Sequence, residues 1–227
     1  MLQERTKTIL KAAVEDYIET GKPVTSEGLY ESHDFGIKPA MIRWELNDLS
    51  QSGYLSQKHP SGGRVPTDKA YKFLIDTLEE ELKEARGDKK PAIAGGLSKM
   101  DFRDFVSALS DELSLLSIGY ETERDNFYEH GLNELLQSLE DTTKEEIVSI
   151  VRDFESLPER LAGISGEWET EEMWPRVFIG RNPLIRSEHV AMIASCLARD
   201  GDKYFVLAIG PKRMDYEKSL KIFRSLE

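Results

Sequence analysis

Backbone breakers govern the first eighty residues. Gly21 with Pro23, then Gly36, then Gly53, then Gly62-Gly63 with Pro66 cut a periodic stretch into helix-length and hairpin-length pieces. Residues 4–20 place Ile9, Ala13 and Tyr17, with Val14 and Ile18 beside them, on one apolar stripe. That stripe predicts a helix ended at Gly21. Thr25 and Ser26 are cap-type residues that open a short second helix through about Ser32. Asp34-Phe35-Gly36 is turn material. A third helix is expected from about Lys38 to Ser52, with Pro39 in its first turn and Gly53 at its end. Tyr54–Lys58 and Arg64–Pro66 read as two short strands joined through Pro60-Ser61-Gly62-Gly63, whose glycines suit a positive φ. Thr67 is placed to cap a longer helix over about Asp68–Ala85, with Tyr71, Leu74, Ile75, Leu78 and Leu82 as its stripe. That stripe serves domain packing or a dimer seam, and it is too short for a sustained coiled coil.

The third helix has two faces of different chemistry. Ile42, Leu46 and Leu49 lie at i, i+4 and i+7 and are expected to face the core. Ala40, Arg43, Trp44 and Asn47 lie on the other side. One reading is an ordinary polar surface carrying one exposed indole. The other is a surface pressed against DNA. Arg offers a fork to guanine, Asn a bidentate pair to adenine, and Ala allows close approach. Three helices followed at once by a glycine-tipped hairpin form a winged helix-turn-helix arrangement. In such an arrangement the third helix can enter the major groove, and Arg64 at the wing can reach phosphates or the minor groove. The candidate DNA-contacting residues are therefore Lys38, Pro39, Ala40, Arg43, Trp44, Asn47, Lys58, His59, Gly62, Gly63 and Arg64.

Charge bears on this choice. The chain has 30 Lys+Arg against 42 Asp+Glu, a formal net charge of −12, which opposes nucleic acid globally. Residues 1–78 hold 10 basic and 11 acidic residues, residues 79–175 hold 10 and 25, and residues 176–227 hold 10 and 6. The acidity belongs to the middle. Between Asp48 and Asp68 there is no acidic residue, while Lys58, His59 and Arg64 all fall there. A polyanion responds to charge within roughly 8–10 Å, so the local balance governs.

From Glu4 to Leu78 the chain resembles the N-terminal domain of the HrcA heat-inducible transcription repressors. The matching stretches are Ile9-Leu10, Val14-Glu15-Asp16-Tyr17-Ile18-Glu19-Thr20-Gly21, Pro23-Val24, Ile42-Arg43, Glu45-Leu46, Asp48-Leu49 and Gly53-Tyr54-Leu55. They end with Gly63-Arg64-Val65-Pro66-Thr67-Asp68-Lys69 and Tyr71. A second match follows in the same order: Ile179-Gly180, Asn182-Pro183-Leu184 and Gly210-Pro211-Lys212-Arg213-Met214-Asp215-Tyr216. The resemblance implies a repressor that binds an inverted-repeat operator, called CIRCE, in double-stranded DNA upstream of chaperone genes. It also implies a chaperonin that keeps the repressor active, and a homodimer, since an inverted repeat needs two copies of the reading helix. This chain departs from the family in having Trp44 where members usually have Asn. It is also shorter than typical members, which carry an inserted dimerising domain within a GAF-like domain.

The expected fold class is α+β: a winged helix-turn-helix domain with trailing helix over 1–85, a linker over 86–99, and a regulatory and dimerisation domain over 100–227. The resemblance makes the last a reduced GAF-like α/β domain. There, Phe102, Phe105, Val106, Leu109 and Leu113 mark a helix, and residues 115–120 a strand. Leu132, Leu135, Leu136 and Leu139 mark a second helix, and Ile147, Val148, Val151, Phe154 and Leu157 a third. A charged connector over Glu167–Glu172 leads to a strand over Arg176–Ile179. Residues 188–198 read as a helix or as one arm of a hairpin turning at Arg199-Asp200-Gly201-Asp202. The resemblance favours the hairpin, and a helix over Lys218–Leu226 closes the chain.

No catalytic constellation emerges. His33, His59, His130 and His189 are scattered, no phosphate-binding loop or nucleophile elbow is present, and Ile209-Gly210-Pro211 is only a lone glycine after a strand. The single Cys196 reads as a small buried apolar side chain and excludes an intrachain disulfide. No run approaches the roughly 20 apolar residues of a membrane helix, and the N-terminus lacks a signal-type apolar region. The expectation is a cytoplasmic DNA-binding protein without enzymatic activity, cofactor, metal or membrane partner. The alternative is a winged-helix protein-interaction module without sequence-specific DNA binding.

Overall fold

The structure, a computed structural model, describes residues 2–57, 62–84, 100–139, 142–168, 175–199 and 201–226. Lys58 and His59, the linker 86–99 and residues 169–172 of the expected connector lie outside the described residues. The chain divides into two compact units, with the boundary between Glu81 and Leu82.

In the first unit, α1 (Glu4–Thr20) buries Ile9, Leu10, Ala13 and Val14, and ends on Gly21 at φ 66, whose N–H bonds the Tyr17 carbonyl. The left-handed turn needs a residue without Cβ strain. Helix α2 (Ser26–Ser32) starts where the Thr25 side chain accepts the Gly28 N–H, and α3 (Pro39–Gln51) starts after Lys38 with Pro39 in its first turn. Ile42, Leu46 and Leu49 are fully buried, as their spacing predicts. The hairpin is shorter than expected: β1 (Leu55–Ser56) pairs antiparallel with β2 (Val65–Pro66). Arg64 instead pairs with Val24, its N–H and C=O exchanging 2.8 Å bonds with that residue. Helix α4 (Asp68–Glu84) buries Ala70, Tyr71, Leu74, Ile75 and Leu78. The Thr67 hydroxyl donates to the Gly53 and Tyr54 carbonyls, tying the helix start back to the end of α3.

One buried carboxylate fixes the rotational setting of α3. Glu45 is 1% exposed; its Oε1 takes Arg5 Nη2 at 2.7 Å and Arg5 Nε at 2.9 Å, and its Oε2 accepts the Thr6 hydroxyl at 2.8 Å. Both carboxylate oxygens are satisfied from α1, the condition for burying such a group.

The second unit is built on a five-stranded antiparallel sheet in the order β4-β3-β7-β6-β5. Its strands are β3 (Leu116–Glu121), β4 (Asn126–His130), β5 (Arg176–Ile179), β6 (Val190–Arg199) and β7 (Asp202–Pro211). The long β6–β7 hairpin turns with Arg199 opposite Asp202 and Gly201 at φ 93, which settles residues 188–198 as strand rather than helix. Alternation sorts the faces. Leu116, Ile118, Tyr120, Met192, Phe205, Leu207 and Ile209 share a core with side chains of α6 (Leu132–Ser138), α7 (Lys144–Glu155) and α8 (Leu157–Trp168). On the other face α5 (Phe102–Leu113) lies so close to β3 that a Cβ on Gly119 would sit 2.4 Å from Val106. Helix α9 (Tyr216–Ser225) packs on β6.

Several expectations are corrected here. The stripe from Ile147 to Leu157 is two helices, because the chain breaks at Ser156 before Pro158, which tolerates a first-turn position only. Glu167 belongs to α8 rather than to a connector. Cys196 is half-buried against the core, not enclosed. Gly210 lies inside β7, where a Cβ would sit 2.5 Å from Leu115, so it is a packing glycine and not a phosphate loop.

A buried Asp organises the loop before β6. Asp153 Oδ1 accepts Arg160 Nη1 at 2.9 Å, and Oδ2 accepts the backbone N–H groups of Arg186 and Ser187 at 2.9 and 2.8 Å. Arg160 also donates to the Leu184 carbonyl at 2.7 Å. The Asn182 side chain accepts the N–H groups of Leu184 and Ile185, so Asn182-Pro183-Leu184 is a loop held from inside.

Candidate nucleic-acid interface

Helix α3 brings the predicted residues together because its inner face is fully committed. With Ile42, Glu45, Leu46 and Leu49 buried, the 3.6-residue repeat turns Ala40, Arg43, Trp44 and Asn47 to the exterior. All four are exposed, Trp44 at 59%. Lys38 is exposed at the N-cap position, and Pro39 is half-buried at the first helical position.

Beside this face lies an open polar cleft of about 380 Å³. It is lined by Arg43 and Asn47 of α3, by Glu27 of α2 and by Gln57, Gly62, Gly63 and Arg64 of the hairpin. The hairpin closes through Gln57 Nε2, which donates to the Gly62 carbonyl at 2.9 Å. Gly63 does not adopt a positive φ, contrary to the expectation for the turn. It is needed for close approach instead, since a Cβ there would sit 2.6 Å from the Pro23 carbonyl oxygen.

Arg64 departs from its expected place. Its backbone is bound to Val24, and its side chain turns inward to 7% exposure rather than out to the phosphates. The guanidinium donates from Nε to Ser50 Oγ at 3.2 Å and from Nη2 to Asn47 Oδ1. Burial, and then the nearby Arg43 charge, pull its pKa below the ordinary arginine value. It is neither a free fingertip nor a solvated charge.

Arg43 is restrained differently. Its Nη2 meets Glu27 Oε1 at 2.7 Å, with both side chains more than half exposed. Glu27 is held below the usual carboxylate range, first by its own backbone N–H in the opening turn of α2, then by the Ser26 hydroxyl, with a smaller contribution from Arg43. An exposed pair of this kind is weak, so Arg43 is available to a stronger partner. Glu27, Ser50 and Gln57 were not identifiable as site residues from sequence. Each acts on a residue 5 to 16 positions away across a chain reversal, where no periodicity links them.

The family model described as "HrcA protein C terminal domain" matches residues 67–220. The "Heat-inducible transcription repressor HrcA" of Thermobifida fusca (strain YX) is 40% identical over 108 residues, 47% of this chain and 31% of that protein. The protein of the same description from Acetivibrio thermocellus is 45% identical over 80 residues, 35% of this chain and 23% of that one. The chain thus spans less than a third of the length of the curated relatives it matches. A solved structure described as "Crystal structure of a hypothetical protein at 2.2 A resolution" superposes with a TM-score of 0.79 at 17% identity. It covers 100% of this chain and 96% of that one, a likeness of fold alone. With the family match extending over most of the sequence, the chain belongs to the HrcA family.

Proposed function

We propose that the chain is a DNA-binding transcriptional repressor of heat-shock chaperone genes that reads an inverted-repeat, CIRCE-type operator. The first unit acts as a winged helix-turn-helix domain, with α3 in the major groove and the hairpin as its wing. The second is a reduced GAF-like regulatory and dimerisation domain. The observation that carries this reading is the outer face of α3. Ala40, Arg43, Trp44 and Asn47 stand exposed together beside a polar cleft, while every apolar residue of the inner face is consumed by the core. Membership in a family whose curated members are named as heat-inducible repressors points the same way.

In this reading Lys38 contacts phosphate and Arg43 leaves Glu27 for a guanine edge. Trp44 packs on the groove wall, and Gly62 lets the wing approach the backbone. Lys58 and His59 are further candidates for phosphate contact. Two copies of α3 are required for an inverted repeat, so the working form is a homodimer in the cytoplasm, with the family's chaperonin as a further partner. No enzymatic step is assigned.

The exposed apolar side chains Tyr30, Met41 and Trp44 favour a second reading, a protein-docking module. A competition gel-shift with operator and scrambled duplexes at two salt concentrations separates the two. The repressor reading expects preference for the operator, affinity falling steeply with salt, and a loss of about 1–3 kcal/mol at one base pair in Arg43→Ala. Equal binding to both duplexes refutes it.

A further inference from the structure

We propose that Arg64 is a positioning residue of the reading surface. Its buried guanidinium holds the Asn47 amide in a single orientation, oxygen inward and NH2 away from it, so that position 47 addresses a base-edge acceptor and rejects cytosine. This rests on the DNA-binding reading above.

A guanidinium carries only donors, so the amide atom facing Arg64 Nη2 is the Asn47 oxygen. An asparagine on an exposed helix face would otherwise be free to present either end. Here three anchors prevent it. The Arg64 backbone is paired in both directions with Val24. Its Nε is fixed on Ser50 Oγ, and that hydroxyl is itself fixed by donating to the Leu46 carbonyl at 2.9 Å. The guanidinium is almost wholly shielded from water, so it strengthens the bond to Asn47 and is screened from phosphates. With the oxygen engaged, the NH2 group is the reading end. It suits the N7 or O6 of guanine, the N7 of adenine or the O4 of thymine, whereas cytosine presents only its N4 donor in the major groove.

A residue that holds another and a residue that contacts phosphate leave different signatures. The test is equilibrium binding of the full 227-residue chain to the operator and its single-base-pair variants, by fluorescence anisotropy across a salt series. The expected result is that Asn47→Ala and Arg64→Ala both lose about tenfold discrimination at the same base pair, within the range one base contact supplies. The double variant loses no more than either alone, and the slope of log K against log salt is unchanged. Arg64→Lys keeps the charge but not the fork, and loses the same discrimination. Ser50→Ala, a mild change within a helix, loses a smaller part of it and keeps the inference testable should the Arg64 variants fail to fold. Uniform weakening across all duplexes with a slope reduced by about 1 marks a phosphate contact and overturns the inference alone. Equal binding of the unmodified chain to operator and scrambled duplex overturns the DNA-binding reading, and this inference falls with it.

Discussion

Glu45 is the side chain whose removal should disturb the reading face most without touching it. In Glu45→Ala the Thr6 hydroxyl, buried beneath α3, loses its acceptor, which costs about 1–2 kcal/mol. Arg5 loses charge-assisted bonds from Nη2 and Nε, worth about 1.5–3 kcal/mol if nothing replaced them. Arg5 is close to half exposed and can recover water, so the second contribution falls to the lower end. The sum is about 3 kcal/mol, at the low edge of what breaking a buried ion pair costs. Glu45→Gln, which keeps one acceptor, should cost about 1 kcal/mol. Native-state amide exchange at Ile9, Ile42 and Leu46 reports these values from inside the affected unit. DNA affinity of Glu45→Ala should also fall at temperatures where the helices remain formed, because the face opposite Glu45 loses its fixed rotation. A cost below about 1 kcal/mol in Glu45→Ala would refute the reasoning, since packing alone would then set α3.

Other consequences follow from polar contacts within the second unit. Asp153→Ala leaves the N–H groups of Arg186 and Ser187 without their acceptor and Arg160 without its counter-charge. A loss of about 3–5 kcal/mol is expected, read by exchange of the β6–β7 amides. Glu146 is held below the ordinary glutamate range, first by the Thr143 backbone N–H, then by the Thr143 hydroxyl, with His189 contributing less. Its folded pKa is depressed, so the capping box of α7 is stabilising above the unfolded value and is lost as pH falls through the folded one. Carboxyl NMR titration should show Glu146 ionising below a reference glutamate, and Thr143→Ala should raise it.

Much of the first unit was legible because glycine and proline mark its boundaries directly. Gly21 and Gly53 both adopt the positive φ that only glycine accepts cheaply, and Pro39 sits where its missing N–H costs nothing. The division of α3 into two faces followed from spacing alone. What spacing could not give was which polar residue is buried. Arg64 read as a wing residue reaching for DNA and Glu45 only as part of the family match, and both are drawn inside by partners 14 to 40 positions away. In the second unit, the residues left 188–198 open between a helix and a hairpin arm despite the Asp200-Gly201 cue, and the family resemblance decided for the β6–β7 hairpin. Strand β4 did not announce itself, since Asn126–His130 is a half-exposed edge strand without apolar alternation. Helix α8 was hidden by Pro158 at its start and by Gly163 and Gly166 within it, residues that usually argue against a helix.

The root of the hairpin is welded to the loop ahead of α2 by the Val24–Arg64 backbone pair and by the contact that forbids a Cβ on Gly63. Arg64 is therefore held beside α3 independently of the Gln57–Gly62 bond farther out. In the proposed function, two properties are thereby uncoupled: the hold on Asn47 at the hairpin root, and the closure of the hairpin beyond it.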